Sequence, residues 1–442
     1  MSVAGTVMLA GGMCTGASAW WWLRSIAARG GEMQPAGAAG EVAAAAPELR
    51  TAVFVVTDSA QLALMWPALK LGSPETGYPS VLSATYTEFG MSVEVQMLGG
   101  QSVNDWNNDN TRAALAAYFG VPTVTVTATD PGFLRLDLRV YDTLADTAAL
   151  PGTASEVGVD LEAVPVGVTE DFDTWRVRVL YGHILLAGAT GSGKGSVLWS
   201  IIAALGPAIL AGLVDLYLAD PKGGAEFGKG ENRLFVRFAT DNTTILAMLA
   251  EAVELMRERL ARMRAAGLRK IVPSTDEPLI LIIIDEAASL SSYASREEQQ
   301  EFRRLTGLLL SQGRAAAVSV IAALQDPSKE TMPNRQLFPV RIGLRLDEPT
   351  QSAMVHGQGA RDRGARCDEI SDQTPGVGYV GEDGTSEFVR VRAYFVSDDD
   401  IDAIVDAYSP APEIVAPSED YSGFDPDDLG DGDESEDGPV AA

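Results

Sequence analysis

The sequence contains few residues that build covalent or metal-based frameworks, with two cysteines and two histidines among 442 residues. Cys14 and Cys367 cannot form a disulfide framework, and such sparse cysteine is typical of proteins from a reducing compartment. His183 and His356 are too few, even together with these cysteines, for a structural zinc site. The sequence therefore excludes the disulfide-rich and the zinc-stabilised classes of protein.

Basic residues are also scarce, and the formal net charge at pH 7 is −28. The deficit is uneven, because residues 396–442 carry 16 acidic and no basic residues, whereas residues 181–395 carry 26 acidic and 24 basic ones. The nearly neutral central segment can therefore contact an anionic polymer that the net charge alone would disfavour. Segment 409–442 is acidic and proline-rich, and we expect it to be disordered because it cannot bury a core.

One segment of the central region is strongly basic. Residues 257–270 read RERLARMRAAGLRK, with leucines and methionines at helical spacing. The pattern predicts an amphipathic helix with a cationic face. That face could lie near nucleic-acid phosphates or a subunit boundary, or it could be an ordinary solvated surface.

A phosphate-binding loop follows a short apolar run near the middle of the chain. Residues 183–187 read HILLA, and residues 188–195 read GATGSGKG, which has the G-x-x-x-x-G-K spacing. Such a loop points backbone N–H groups at a triphosphate, and Lys194 would reach the β- and γ-phosphates. The predicted ATP-binding residues are Gly188, Ala189, Thr190, Gly191, Ser192, Gly193, Lys194, Gly195 and Ser196.

The residue after the loop lysine departs from the usual pattern. Gly195 stands where a serine or threonine normally binds Mg²⁺, and Ser196 carries a hydroxyl one position later. We expect ATP and Mg²⁺ as cofactors, with Ser196 as a candidate metal ligand. A magnesium site weakened by Gly195 would preserve nucleotide binding more than hydrolysis.

A second apolar run ends in two acidic residues. Residues 279–286 read LILIIIDE, which is typical of a strand buried on both faces of a parallel sheet. Ligands of such sheets bind at the carboxyl ends of the strands. Asp285 is therefore predicted to hold the metal through water, and Glu286 to polarise an attacking water. Alone, the two acids could simply cap a helix, but with the phosphate loop upstream they predict an ATP site.

Further segments occur in the order of a known motor domain. They are LVDLYLA (213–219), DPKGGAEF (220–227), VSVIAAL (318–324) followed by Gln325, VRIGLRL (340–346) and VRAYFVSDDDI (391–401). In order and spacing, residues 165–408 resemble the motor domain of the FtsK/SpoIIIE DNA translocases, within the HerA-like ATPases. The continuation GKGSVLWS at 193–200 resembles the FtsK-like transfer proteins of actinobacterial conjugative plasmids and integrated elements.

The resemblance implies roles for individual residues. Lys194 would bind phosphate, Asp285 the metal and Glu286 the catalytic water, as the spacing also indicates. The resemblance adds Gln325 as a sensor of the γ-phosphate.

It also implies an arginine finger that acts on the neighbouring subunit, with Arg314 and Arg341 as the two candidates. For each arginine, a surface or interface ion pair is the alternative.

The resemblance implies a function as well: ATP-dependent translocation of double-stranded DNA by a homo-hexameric ring, in conjugation or segregation. Little sequence specificity is expected, because no winged-helix module follows residue 408. A protein-translocating ATPase of the type VII secretion kind, or a nucleotide-binding scaffold with little turnover, is the alternative.

The expected fold is α/β. For residues 165–408 we expect a P-loop NTPase (RecA-like) fold with a parallel sheet and helices on both faces. Residues 51–164 are predicted to form a small α+β domain before it. This domain would contain a helix at 111–120 and strand-like runs TAVFVVT (51–57), VEVQML (93–98), VTVTAT (124–129) and LRLDLRV (134–140).

The N-terminal segment 1–23 is a candidate transmembrane anchor, because residues 2–23 carry no charge. Three tryptophans and Arg24 at its end predict a cytoplasmic motor attached to the cell membrane through residues 3–23. A cleaved signal or a loosely structured arm is the alternative. The Ala/Gly-rich residues 24–50 are predicted to be a linker.

Overall fold

Two β-sheets of different size organise the part of the chain that the structure describes. The computed structural model describes residues 38–152, 158–385 and 387–410. The predicted membrane anchor lies outside these residues, and so does the predicted acidic tail apart from its first two residues. Among the described helices, none has the length and apolar character needed to cross a membrane.

The described residues contain eleven α-helices and fifteen β-strands. The helices are α1 (Ala38–Ala44), α2 (Arg50–Thr57), α3 (Ser59–Ala68), α4 (Val103–Asn107), α5 (Asp109–Phe119), α6 (Lys194–Leu210), α7 (Asn242–Ala266), α8 (Ala288–Ser291), α9 (Arg296–Gln312), α10 (Pro349–His356) and α11 (Asp398–Tyr408). The strands are β1 (Ser80–Thr87), β2 (Gly90–Gln96), β3 (Thr123–Ala128), β4 (Phe133–Arg139), β5 (Ala148–Ala149), β6 (Val164–Thr169), β7 (Thr174–Val177), β8 (Ile184–Ala187), β9 (Val214–Ala219), β10 (Arg237–Ala239), β11 (Leu279–Ile284), β12 (Val318–Leu324), β13 (Val340–Leu344), β14 (Val377–Glu382) and β15 (Val389–Phe395).

The smaller sheet consists of four antiparallel strands in the order β1-β2-β4-β3. Alternate residues of β2, namely Met91, Val93 and Val95, are fully buried. This period of two places one face of the sheet on a core, which it shares with α2, α3 and α5.

Segment 51–57, predicted as a strand from its β-branched residues, is wrong as a strand and belongs to helix α2. Leu49, Ala52 and Val53 are fully buried at i, i+3 and i+4, which is the spacing of one helix face. Packing of this face on the small sheet's core outweighs the weak intrinsic preference of valine for strands. The linker prediction is also wrong for residues 38–50, where alanine, a strong helix former, supports helix α1.

The larger sheet is mixed, so the predicted parallel sheet forms only one part of it. Its order is β10-β9-β11-β12-β8-β13-β14-β15-β6-β7, and β5 pairs with β15. The strands from β10 to β13 are parallel, whereas the pairs from β13 to β7 are antiparallel. Short turns join β6 to β7 and β14 to β15, and a short turn can only reverse the chain, since a parallel pair needs a long crossover.

Helices cover both faces of the parallel strands, and β11 shows why its sequence is continuously apolar. Residues 279, 281 and 283 pack in one core with α6 and α11, whereas residues 280, 282 and 284 pack in a second core with α7 and α9. The carboxyl ends of β8, β9, β11 and β12 therefore meet along one edge of a sheet buried on both faces.

Polar contacts join the two sheets. Arg139, the last residue of β4, donates to Asp171 Oδ1 (2.7 Å), and Arg366 donates to the carbonyl of Asn107 (2.6 Å). The described residues up to Ser409 form one compact unit. The division into domains 51–164 and 165–408 stays a prediction.

Candidate active site

The glycine-rich loop connects the end of β8 to the start of α6. Gly191 and Gly193 have φ angles of 73° and 96°, a left-handed region that favours glycine. Backbone hydrogen bonds hold the loop from outside, from Gly376 N to Ser192 O (2.8 Å) and from Ala189 N to Arg345 O (2.8 Å). A Cβ on Gly193 would also collide with the backbone of Gly376. The two glycines therefore set the path of the loop into the N-terminus of α6.

Lys194 is the first residue of α6, and its side chain is buried under the loop. Its Nζ donates to the carbonyls of Gly188 (2.7 Å) and Ala189 (3.2 Å). Burial lowers the pKa of Lys194, and the nearby carboxylates of Glu286 and Asp285 partly offset that effect. The structure thus brings the loop lysine together with the two acids that follow β11.

Asp285 lies at the carboxyl end of β11 and is buried, with 3% of its surface exposed. Its Oδ2 accepts a hydrogen bond from Lys222 Nζ (2.8 Å), which forms an ion pair between the loops after β9 and β11. Burial lowers the pKa of Lys222, but the hydrogen bond and charge of Asp285 outweigh this, so the pKa is raised. Lys222 therefore provides the countercharge of Asp285.

Glu286 has a strained backbone, with a φ angle of 68°. A non-glycine residue in this region costs about 1–3 kcal/mol, which persists only where the surroundings impose it. Both carboxylate oxygens of Glu286 are buried and have no hydrogen-bond partner among the described residues. An unpartnered carboxylate on strained backbone is expected of a group that is positioned for a ligand.

The segment DPKGGAEF folds into a loop around the buried carboxylate of Asp220. Asp220 accepts backbone hydrogen bonds from Lys222 (3.1 Å), Glu226 (3.0 Å) and Phe227 (3.1 Å). This loop directs Glu226 onto the first turn of α6, where a Cβ on Gly195 would collide with Glu226 Oε1. Partial burial, followed by the charge of Asp285, raises the pKa of Glu226.

Two further side chains contact the phosphate loop at Thr190. Thr190 Oγ1 donates to Oε1 of Gln325 (3.1 Å), the residue that follows β12. Arg345, directly after β13, donates to the carbonyl of Thr190 (2.9 Å) and to Asp347 (2.9 Å). The structure thus places Gln325 at the loop, directly after β12, the strand between β8 and β11.

The two candidate finger arginines lie away from the phosphate loop of their own chain. Arg314 is exposed and precedes β12, so the seven residues of that strand separate it from Gln325, a span of about 23 Å. Arg341 lies near the start of β13, where it donates to the carbonyl of Phe338 (3.0 Å). Arg341 also lines a cleft of about 650 Å³ with Arg303 and other residues.

The predicted cationic face at 257–270 is narrower than the sequence indicates. Helix α7 ends at Ala266, and Arg259 is buried, donating to the carbonyls of Ala316 (3.1 Å), Ala317 (3.2 Å) and Pro278 (2.7 Å). Arg262 pairs with Glu277. These arginines therefore hold α7 to the neighbouring segments.

The donors at this edge fit a magnesium-bound triphosphate. Lys194 and the N-terminus of α6 suit phosphate oxygens, while the carboxylates of Asp285 and Glu226 suit Mg²⁺. The hydroxyl of Ser192, within the loop, is buried without a partner in the described structure. In the described ranges, no group of three or more His, Cys, Asp or Glu side chains could hold a metal ion by itself.

Sequence reasoning missed three residues of this site: Lys222, Glu226 and Arg345. A signal was available for the first two, because DPKGGAEF directly follows a strand-like run, and acidic and basic residues at that point can reach a ligand. No sequence signal indicates Arg345, since its contact depends on how β13 packs beside β8.

The mixed α/β sheet and the loop between β8 and α6 define a P-loop ATPase-like fold. A family model described as the FtsK/SpoIIIE family matches residues 145–278, and the chain therefore contains an FtsK/SpoIIIE domain. The matched residues include the phosphate loop and DPKGGAEF and end directly before β11. The predicted resemblance is confirmed at this level.

Curated relatives include a transfer protein and DNA translocases. The transfer protein TraSA of Streptomyces ambofaciens is 28% identical over 344 residues, covering 73% of this chain and 80% of TraSA. The DNA translocase FtsK of Lactococcus lactis subsp. cremoris is 28% identical over 271 residues, covering 55% of this chain and 33% of that protein. The chain thus spans most of TraSA but only about a third of FtsK.

Solved structures share the fold. The pCW3 conjugation coupling protein TcpA, in a monomer form with ATPγS, has a TM-score of 0.51 and 19% identity, covering 78% of this chain and 98% of TcpA. The cytoplasmic domain of the Thermomonospora curvata type VII secretion ATPase EccC has a TM-score of 0.50 and 21% identity, covering 60% of this chain and 35% of that one. At these identities, the likeness concerns the fold alone.

Proposed function

We propose that the protein is an ATP-dependent translocase of double-stranded DNA that works as a homo-hexameric ring. The observation that carries the proposal is the grouping of Lys194, Asp285 and Glu286 around the phosphate loop of an FtsK/SpoIIIE domain. The relatives' names, a transfer protein and DNA translocases, support DNA as the cargo and transfer or segregation as the process.

In this proposal, side chains of one subunit bind the triphosphate and prepare the attacking water. Lys194 exchanges its two loop carbonyls for β- and γ-phosphate oxygens. Glu286 accepts a hydrogen bond from the water and polarises it for in-line attack, a role that its unpartnered carboxylate supports. Gln325 contacts the γ-phosphate from the end of β12. Asp285 would hold a bound Mg²⁺, which would neutralise negative charge on the phosphates.

The transition state needs a further positive charge, which we assign to a neighbouring subunit in the ring. The exposure of Arg314 supports this assignment, as does its distance from the loop of its own chain. Arg341, in the cleft beside Arg303, is the second candidate. A charge delivered across the boundary would couple hydrolysis in one subunit to movement of the next.

Membrane attachment through residues 3–23 completes the proposal and rests on the uncharged sequence alone. The motor would then lie on the cytoplasmic side of the cell membrane. We expect little sequence specificity, because the contacts of a ring pore with a DNA backbone are mainly electrostatic.

The test is ATP hydrolysis by the full chain with and without long double-stranded DNA, with Lys194→Ala as the inactive control. We expect DNA to stimulate hydrolysis at least several-fold in the wild type and to have no effect on the variant. Hydrolysis that ignores DNA would contradict the proposal and favour a protein substrate. Nucleotide binding without turnover would favour the scaffold.

A further inference from the structure

A carboxylate faces the first turn of α6, at the position where phosphate loops normally present a hydroxyl. A side chain on Gly195 would begin where Glu226 Oε1 lies, so the two cannot share this space. The Glu226 carboxylate forms no hydrogen bond or ion pair among the described residues, and Glu226 is exposed. An oxygen ligand is thus present at this position even though residue 195 supplies none.

Two contacts fix Glu226 in this position. The buried carboxylate of Asp220 accepts hydrogen bonds from the backbone N–H groups of Glu226 (3.0 Å) and Phe227 (3.1 Å). The ring of Phe227 stacks on Trp199, with 5.3 Å between the ring centroids. Trp199 lies four residues after Gly195 and therefore on the same face of α6. The loop is consequently attached to the helix one turn beyond the glycine that faces Glu226.

Ser196 cannot present its hydroxyl at the same point. Successive residues of an α-helix are rotated by about 100° around its axis, so the side chains of residues 195 and 196 leave the first turn in different directions. Partial burial raises the pKa of Glu226, and the negative charge of Asp285 raises it further. The two carboxylates reach the phosphate loop from the carboxyl ends of β9 and β11.

We propose that Glu226 supplies the protein oxygen ligand of the nucleotide-bound Mg²⁺ in place of the hydroxyl missing at Gly195. The proposal rests on magnesium–nucleotide binding at the phosphate loop, but not on DNA translocation. A carboxylate ligand differs from a hydroxyl in charge, since it attracts the cation and repels a metal-free triphosphate. Binding of nucleotide is therefore more dependent on Mg²⁺ than in a loop with a serine or threonine.

The test is the affinity of the full-length protein for ATPγS, measured calorimetrically in MgCl₂ and in EDTA. The ratio of the two affinities is the magnesium gain. Glu226→Ala is expected to lower this gain at least about tenfold, by weakening binding in MgCl₂ and improving it in EDTA. Glu231→Ala, which removes an exposed carboxylate five residues later, is the matched control and should keep the wild-type gain.

A second substitution tests whether a hydroxyl at position 195 can replace the carboxylate of Glu226 as the metal ligand. Gly195→Thr alone should weaken binding through its collision with Glu226, whereas Gly195→Thr combined with Glu226→Ala should restore the magnesium gain. Mn²⁺ electron paramagnetic resonance of the ATPγS complexes gives an independent readout of metal binding. Glu226→Gln, which keeps the shape, replaces Glu226→Ala if the alanine variant fails to fold.

The outcomes separate this proposal from the proposed function. A wild-type gain in Glu226→Ala would overturn the role of Glu226, and a gain lost only in Ser196→Ala would assign the metal to Ser196. Absence of ATPγS binding in the wild type would overturn both this proposal and the ATPase function. If the magnesium gains of the wild type and the variants are as expected but DNA does not stimulate hydrolysis, only the proposal of a DNA translocase is contradicted.

Discussion

Lys222 and Asp285 form an ion pair in which Nζ and Oδ2 are 2.8 Å apart, and this pair joins the loops that follow β9 and β11. Asp285 is buried, and Glu286 and Glu226 add negative charge beside it. Lys222 therefore holds together a group of carboxylates that would otherwise repel one another. A magnesium-bound nucleotide would supply a competing positive charge, so the pair links the resting site to ligand binding.

Lys222→Ala is expected to destabilise the nucleotide-free protein by about 1 kcal/mol, because it leaves the buried Asp285 without its partner. Saturating MgCl₂ and ATPγS should recover most of the loss. Thermal unfolding in EDTA and in Mg–ATPγS measures both effects. Lys229→Ala removes the exposed ion pair with Asp402 and is the control. If both variants lose the same stability and recover it equally in Mg–ATPγS, the role of Lys222 as the countercharge of Asp285 is contradicted.

Glu286→Gly is expected to separate stability from activity. It relieves a φ angle of 68° and should raise the free energy of unfolding by about 1 kcal/mol, while hydrolysis falls at least about a hundredfold. Urea denaturation and a phosphate-release assay measure the two effects. Asn232→Gly, at a similar φ of 55° outside the site, should leave hydrolysis unchanged. Retained hydrolysis in Glu286→Gly would remove Glu286 from the catalytic role.

The hydrogen bond between Thr190 and Gln325 allows two roles of Gln325 to be distinguished. If Gln325 contacts the γ-phosphate, Gln325→Ala should lower kcat about tenfold or more with little change in KM. Thr190→Val removes the same hydrogen bond from the other side and should have a smaller effect. Equal losses in the two variants would mean that Gln325 only holds the loop.

Mixing experiments test whether an arginine acts between subunits. Arg314→Ala subunits retain Lys194, and Lys194→Ala subunits retain Arg314, so neither variant alone should hydrolyse ATP. A mixture should recover a measurable fraction of wild-type activity, because intact sites form at some boundaries. The same mixture with Arg341→Ala tests the second candidate. No recovery in either mixture would contradict an arginine finger at these positions.

The two histidines predict a pH dependence of stability. Burial lowers the pKa of His183 to about 4 and of His356 to about 3, against a value near 6.5 in the unfolded chain. Since the unfolded chain binds these protons and the folded one does not, acidification from pH 7 to 5.5 should cost about 1 kcal/mol per histidine. Urea denaturation at both pH values measures this loss of unfolding free energy. The loss should be smaller in the double variant His183→Gln/His356→Gln than in the wild type. An unchanged pH dependence would contradict this origin.

The sequence alone predicted the central chemistry, because short-range rules govern it. The spacing of the glycines and Lys194 predicts a phosphate-binding loop between a strand and a helix. The apolar run before Asp285 predicts a strand that is buried on both faces. Both signals lie within eight residues or fewer, so no tertiary information was needed. The site residues nevertheless remain predictions until the variants are measured.

Only the tertiary structure shows that a carboxylate oxygen of Glu226 lies next to Gly195. The two residues are distant in sequence, so no local spacing indicates this contact. The same holds for helix α2, where packing on a core outweighs the preference of valine for strands, and for the antiparallel half of the large sheet. Local patterns determine the loop and the buried strands. Contacts between residues that are distant in sequence determine which side chains complete the site.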